Sequence, residues 1–244
     1  MEHIVSLGDE PGRLGSFQAF MDANWTPIGL MDDVGHTHWM DVMSRHPTCQ
    51  FGVYRGGDLV ALGNCAPVYD AKPLGALPDG GWQWALKSSL EGQPQDKPAY
   101  ICALAATVHQ DMRGQRLSTI VLKHFKAIAR QSGAQALIAP VRPVLKHCYP
   151  LIPMEDYIQW TRPNGAPFDP WLNTHAQIGG QILHVSHKAM SIERSVSFWE
   201  DFTGHRMPSS GQYLVPGALN PIAVDIAQDI GAYHEPNVWV LHAL

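Results

Sequence analysis

Hydrophobic residues recur along the chain with two distinct periods. After a Pro-Gly pair, Phe17, Phe20 and Met21 fall at helical spacing between Leu14 and Asn24, which predicts an amphipathic helix. A second helix is expected from His36 to about Ser44, with Trp39, Met40 and Met43 on its apolar side. The period then changes. Phe51–Tyr54 and Leu59–Gly63 flank Arg55-Gly56-Gly57-Asp58, whose glycines suit the positive φ of a tight β hairpin. Residues 67–98, rich in Pro, Gly and Asp, read as an excursion with a short helix around Trp82–Ser89. Ala99 to Val108 is an almost unbroken apolar run, as in a strand covered on both faces. From Leu117 to about Gln131, Leu117, Ile120, Val121, Phe125, Ile128 and Ala129 line one side of a helix. Lys123, Lys126 and Arg130 take the other side, and Gly133 ends the helix. Ala136–Val141 is a second buried strand. A strand–helix–strand crossover is right-handed, so the 99–108 and 136–141 strands should be parallel neighbours.

Beyond a Pro-rich stretch ending at Phe168, Asp169-Pro170 supplies a cap and a first-turn proline for a short helix that Gly179 stops. Gln181–Val185, Pro221–Ile226 and Asn237–Leu241 read as strands. Ser195–Thr203 reads as a capped helix with Phe198, Trp199 and Phe202 inward. With no repeat and no long linker, the simplest organisation is one α/β domain over residues 1–244 with a central mixed sheet.

Composition narrows the functional classes. Of 244 residues, 45% are hydrophobic and 16% charged, enough for a core and unlike a disordered chain. The net charge of −5 offers no basic excess for a phosphate backbone, so nucleic-acid partners are not expected. No apolar run approaches the roughly 18 residues of a membrane span, so no membrane partner is expected. The start of the chain lacks the basic and apolar regions of a signal peptide, and a cytoplasmic protein is expected. The four cysteines form no CxxC pair, which disfavours a zinc ribbon or redox motif; Cys65 and Cys102 read as buried thiols. Among thirteen histidines, His36-Thr37-His38 is the nearest approach to a metal pair, and a polar loop explains it better. No metal is expected.

The most informative segment is the turn Arg113-Gly114-Gln115-Arg116-Leu117-Ser118 between the apolar strand and the long helix. Successive backbone amides and the positive end of a helix dipole make an anion site there. Gly114 allows close approach of a ligand, and Ser118 can donate to it or cap the helix. The turn is neither a Walker A loop nor GxGxxG, so nucleotide-binding P-loop and Rossmann folds lose their main support.

The run Val108-His-Gln-Asp-Met-Arg-Gly-Gln-Arg-Leu-Ser118 resembles the pyrophosphate-binding signature of the GCN5-related N-acetyltransferases, V-x-P-x-x-R-G-x-G-[ILV]-[GA]. The order of elements over about residues 14–187 resembles that family too, leaving a C-terminal extension at 188–244. Arg113, Gly114 and Leu117 match the signature and Ser118 takes the position of its last small residue; Arg116 stands in place of its second glycine. The resemblance implies an α/β fold whose central sheet splays between two parallel strands. It also implies an acyl-CoA cosubstrate, acetyl-CoA above all, held by Val108 and residues 113–118, including Gln115 and Arg116.

Many members carry a Glu base on the central strand, and Ala99–Val108 has no acidic residue; Thr107 is a polar side chain near its end. Where the family has a Tyr acid in Y-x-x-x-G-F, this chain has His175 in HAQIG. His175, His147 and Thr107 are therefore the candidate catalytic residues, against ordinary helix-face and loop roles for the histidines. The activity implied is acetyl transfer to a small-molecule amine. A weaker resemblance, to GNAT-like domains of polyketide synthases, implies malonyl-CoA decarboxylation and transfer to a carrier-protein thiol. A non-catalytic acyl-CoA sensor is the third possibility. The aromatic, Gly- and Pro-rich C-terminal region reads as core with turns, or as a wall on the acceptor side.

Overall fold

The computed structural model describes residues 2–93 and 96–244; Pro94 and Gln95, in the expected excursion, and Met1 lie outside it. A nine-stranded sheet runs in the order β1 (Glu2–Ser6), β2 (Gln50–Arg55), β3 (Asp58–Val68), β4 (Tyr100–Val108), β5 (Ala136–Val141), β9 (Ile230–His242), β8 (Ile222–Asp225), β7 (Gly211–Tyr213). β6 (Gly180–Arg194) pairs with β9 along nearly its whole length. The opposite edge of β9 is therefore shared, with β5 on residues 238–242 and β8 on residues 230–232.

Periodicity placed most elements well. α1 spans Leu14–Asn24, α3 Gly81–Glu91, α4 Leu117–Gln131 and α7 Val196–Thr203. The β2–β3 hairpin turns on Gly56 and Gly57, both with positive φ. α2 (Asp33–Arg45) starts earlier than expected, because the Asp32 carboxylate accepts from the Gly35 amide and caps it there. Its buried face is Trp39, Val42 and Met43; Met40, expected inward, is 44% exposed. His36 and His38 are part of this helix rather than of a polar loop, because the Asp32 cap starts it before them; residues two apart on it point to nearly opposite sides.

The sheet separates two cores. On one face α1, α2 and α3 cover Tyr100, Cys102, Leu104, Ile138 and Trp239. On the other, α4 packs Val121, Leu122, Phe125 and Ala129 against Ile101 and Leu137. α6 (Pro170–Gln177) and α5 (Met154–Tyr157) cover Ala139, Val141, Val238 and Val240 on that same side, where Trp171 touches both clusters. Alternating strand residues thus feed alternate cores.

β4 and β5 are parallel, as the crossover requires, but they pair only at Tyr100–Cys102 with Ala136–Ile138. From Ala103 onward β4 keeps β3, and from Ala139 onward β5 keeps β9. The sheet is splayed there. A register shift opposite Asn64 and Cys65 leaves Leu104 as an extra residue in β4. Its carbonyl accepts from Trp82 Nε1 at 2.9 Å.

Candidate active site

The splay opens into a cavity of about 770 Å³. Its lining includes Leu117, Leu122 and Phe125 from the α4 core and Trp82 and Met190 from the α1–α3 core. The cavity therefore passes through the sheet, with one mouth at the start of α4 and the other near Trp25, Thr26 and Gly29.

At the α4 mouth, Val108, Arg113, Gly114, Arg116, Leu117 and Ser118 line the cavity. Gly114 has φ +80°, with open space where a Cβ would stand. Arg116 precedes the helix with φ 61°, ψ 16°, the left-handed conformation that the signature's glycine would supply. No side chain caps α4. The amides of Gly114, Gln115 and Arg116 have no protein acceptor among the described residues. Neither Arg113 nor Arg116 forms an ion pair among the described residues, so both guanidiniums are free to meet a pyrophosphate. The residues fit that anion. Gln115 is outside the lining; Arg55 donates to its side-chain oxygen, and its amide nitrogen reaches Met112 sulfur at 3.5 Å.

His175, His147 and Thr107 all line the same cavity, on different walls. His175 is 2% exposed on α6, and its Nδ1 lies 2.8 Å from Nε2 of His242 on β9. Gly180 makes this contact possible: a Cβ there would come within 2.8 Å of the His242 ring. His175 Nε2 and His242 Nδ1 are buried without a protein partner. Burial, reinforced by His242, pushes His175 well below the ordinary imidazole pKa. Burial takes His242 down to about 4. Both rings are neutral at neutral pH, so one donates the shared hydrogen bond and the other accepts. His147 is exposed, with Nδ1 2.9 Å from the Val144 carbonyl oxygen and Nε2 3.4 Å from Cys148 Sγ.

Thr107 belongs to the opposite side. Along β4, Leu104 and Ala105 pack toward α1–α3, whereas Ala103, Ala106 and Val108 pack toward α4. Alternation turns Thr107 to the α1–α3 face, where its Oγ1 accepts from Trp25 Nε1 at 3.1 Å.

Three further lining residues were not legible as site residues. Arg142 follows β5, and Glu235 and Asn237 lie on β9. Glu235 is 1% exposed. Arg142 Nε donates to both its oxygens at 3.0 Å, and Tyr233 Oη donates at 2.8 Å. No sequence signal marked them: Arg142 follows the expected strand 136–141, and Glu235 precedes the expected strand Asn237–Leu241. Among the described residues, no group of three or more His, Cys, Asp or Glu side chains is placed to hold a metal.

An arginine N-acetyltransferase, avaD from Aspergillus versicolor, is 35% identical over 207 residues, covering 76% of this chain and 71% of that protein. The chain belongs to the GCN5-related N-acetyltransferase superfamily. It is an acyl-CoA-dependent acetyltransferase with a small-molecule amine as acceptor. Among solved structures, the loading GNATL domain of CurA from Lyngbya majuscula superposes with TM-score 0.63 at 15% identity, covering 100% of this chain and 98% of that one. The GphF GNAT-like decarboxylase in complex with isobutyryl-CoA superposes with TM-score 0.60 at 17% identity, covering 99% and 98%. At such identities these two establish the fold alone. No family model matches the sequence. No helix among the described residues is long and apolar enough to cross a membrane.

Proposed function

We propose that this enzyme acetylates an amine of arginine or a close arginine derivative, with acetyl-CoA as donor. The observation that carries the reading is a cavity running through the sheet, with an anion cradle at one mouth and aromatic and charged groups at the other. The similarity to an arginine N-acetyltransferase supports the choice of acceptor.

In this reading the pyrophosphate rests on the amides of residues 114–116 and the guanidiniums of Arg113 and Arg116. The pantetheine arm follows the edge of β4 that β5 has left. Amides along that edge, beyond Cys102, have no strand partner and can donate to the thioester oxygen as negative charge develops. The acceptor enters from the α1–α3 side. There Trp25 and Trp82 supply flat faces for an alkyl or guanidinium group, and Thr107 can accept from the incoming amine.

Attack by the neutral amine forms the C–N bond and an ammonium on the tetrahedral intermediate. Collapse breaks the C–S bond and releases the CoA thiolate, which takes up a proton at neutral pH because alkyl thiols titrate above it. His175 cannot serve as a pre-charged acid, because burial keeps it neutral. Its role is to receive the proton through Nε2 and return it to sulfur, at the α6 side of the splay. His147, held by its own loop, is the less suitable carrier.

His175→Ala is expected to lower kcat by roughly 10²–10⁴-fold, the range for a positioned acid or base, with acetyl-CoA affinity nearly unchanged. Steady-state kinetics and calorimetry on the same preparation check both halves. Full activity in this variant together with an inactive His147→Ala variant would move the role to His147.

A further inference from the structure

We propose that Arg142 is the anchor for a carboxylate on the acceptor, so that the enzyme selects an amino acid over the corresponding simple amine. This rests on the amine-acceptor reading above and specifies the class of molecule that the site takes.

Arg142 stands on the acceptor side. On β9, Val238 and Val240 face α6 while Trp239 faces the α1–α3 core, so Asn237 and Glu235 share the face of Trp239. Glu235 draws the Arg142 guanidinium onto that face. The guanidinium is fixed at two of its three nitrogens. Nε donates to both carboxylate oxygens of Glu235, and Nη2 donates to the Gly217 carbonyl at 2.6 Å. Nη1 makes no hydrogen bond of normal geometry to a protein acceptor among the described residues, although Tyr233 lies beside the guanidinium, and the side chain keeps 26% exposure in the cavity wall. A planar donor fixed on two sides with its third nitrogen open is pre-organised for an oxygen ligand.

The carboxylate of Glu235 is already committed. It accepts from Arg142 and from Tyr233 Oη, and Asn237 Nδ2 approaches it at 3.3 Å. Its charge cancels that of Arg142, so the pair adds no net charge to the wall. Glu235 is also the sole carboxylate in the lining among the described residues, so an anionic group finds no other carboxylate to repel it. The ligand chemistry is a carboxylate near the reacting centre. It could arrive on the acceptor or, alternatively, on a dicarboxylic acyl-CoA.

The test compares L-arginine, argininamide and agmatine at saturating acetyl-CoA, in the natural enzyme and in Arg142→Gln. Because Arg142→Gln leaves Glu235 unpaired and can destabilise the fold, the double variant Arg142→Gln/Glu235→Gln is assayed beside it. Thermal melting and acetyl-CoA affinity serve as folding controls. The natural enzyme should favour L-arginine over agmatine and argininamide by roughly 10- to 100-fold in kcat/KM, the range for one charge-assisted hydrogen-bonded contact. In a folded variant, KM for L-arginine should rise by a similar factor, kcat should change little, and the preference should vanish. Equal use of the three amines by the natural enzyme, or an unchanged KM in the folded double variant, would overturn the assignment. So would loss of malonyl-CoA turnover in the variant with arginine selectivity intact, which would place the carboxylate on the donor. If the natural enzyme acetylates none of the three amines, the arginine-type acceptor itself fails, and the carboxylate anchor fails with it.

Discussion

In the proposed cradle, Arg116 trades stability for binding. A side chain other than glycine, asparagine or aspartate in the left-handed region costs on the order of 1 kcal/mol. Arg116 sits there, with φ 61°, at the start of α4. Arg116→Gly should raise stability by up to about 1 kcal/mol, since relief of strain outweighs the added freedom of the unfolded chain. It should also weaken acetyl-CoA by several-fold, because the guanidinium proposed to meet the pyrophosphate is lost. Urea unfolding and calorimetry test the two directions separately. A variant less stable than the natural protein would contradict the strain argument. At the buried histidine couple the measurable quantity is pH dependence. His242 is lowered by burial from 6.5 to about 4 in the folded protein. Between those values the unfolded chain binds a proton that the folded one does not, so acid favours unfolding. The penalty is absent above pH 6.5, grows as pH falls toward 4, and amounts to about 3 kcal/mol when complete. His242→Leu should flatten the slope of unfolding free energy in that window relative to the natural protein. An unchanged slope would mean that His242 titrates normally in the folded state.

At the scale of elements, the site depends on a strand that changes partners. β4 holds β5 for three residue pairs, then leaves it, while the extra residue at Leu104 interrupts its ladder with β3. Trp82 Nε1 ties down the Leu104 carbonyl from α3. Trp82→Phe removes that donor while keeping an aromatic ring. The orphaned carbonyl should cost about 1–3 kcal/mol in unfolding free energy. Acceptor KM should rise more than acetyl-CoA affinity falls, because Trp82 is on the proposed acceptor side. Equal losses on both sides would contradict the division of the cavity by the sheet.

The apolar runs at 99–108 and 136–141 were legible because strands covered on both faces leave uninterrupted hydrophobic sequence. The parallel pairing followed from crossover handedness. The bulge had no such signature: Leu104 is one apolar residue among several. β1, only five residues at the sheet edge, and the three-residue β7 carry too little pattern to stand out. β6 runs fifteen residues, far past the five expected, because shifts near Ile182–His184 and Ser186–Met190 break its alternation.

Over the whole molecule, the phosphate cradle could be proposed from local sequence because its residues fall within the one turn 113–118, five of which line the cavity. His175 could be placed by its distance from Gly179. The proposed acceptor wall was not legible, since Trp25, Thr107, Arg142 and Glu235 come to line one cavity only after α1, β4, β5 and β9 have assembled. Glu235 sits 93 residues from the Arg142 that neutralises it. Burial of such a pair makes sense only once the long C-terminal strand enters the sheet between β6 and β5. In the region expected as core with turns or as an acceptor wall, Trp199 and Tyr233 are buried in a core, and Gly217, Glu235 and Asn237 line the cavity. The direct test is incubation of the purified protein with L-arginine and either acetyl-CoA or malonyl-CoA, followed by mass spectrometry of both substrates. A singly acetylated arginine formed only with acetyl-CoA, with one free CoA released per product, is the predicted result. Acetyl-CoA appearing from malonyl-CoA while arginine stays unmodified would contradict it.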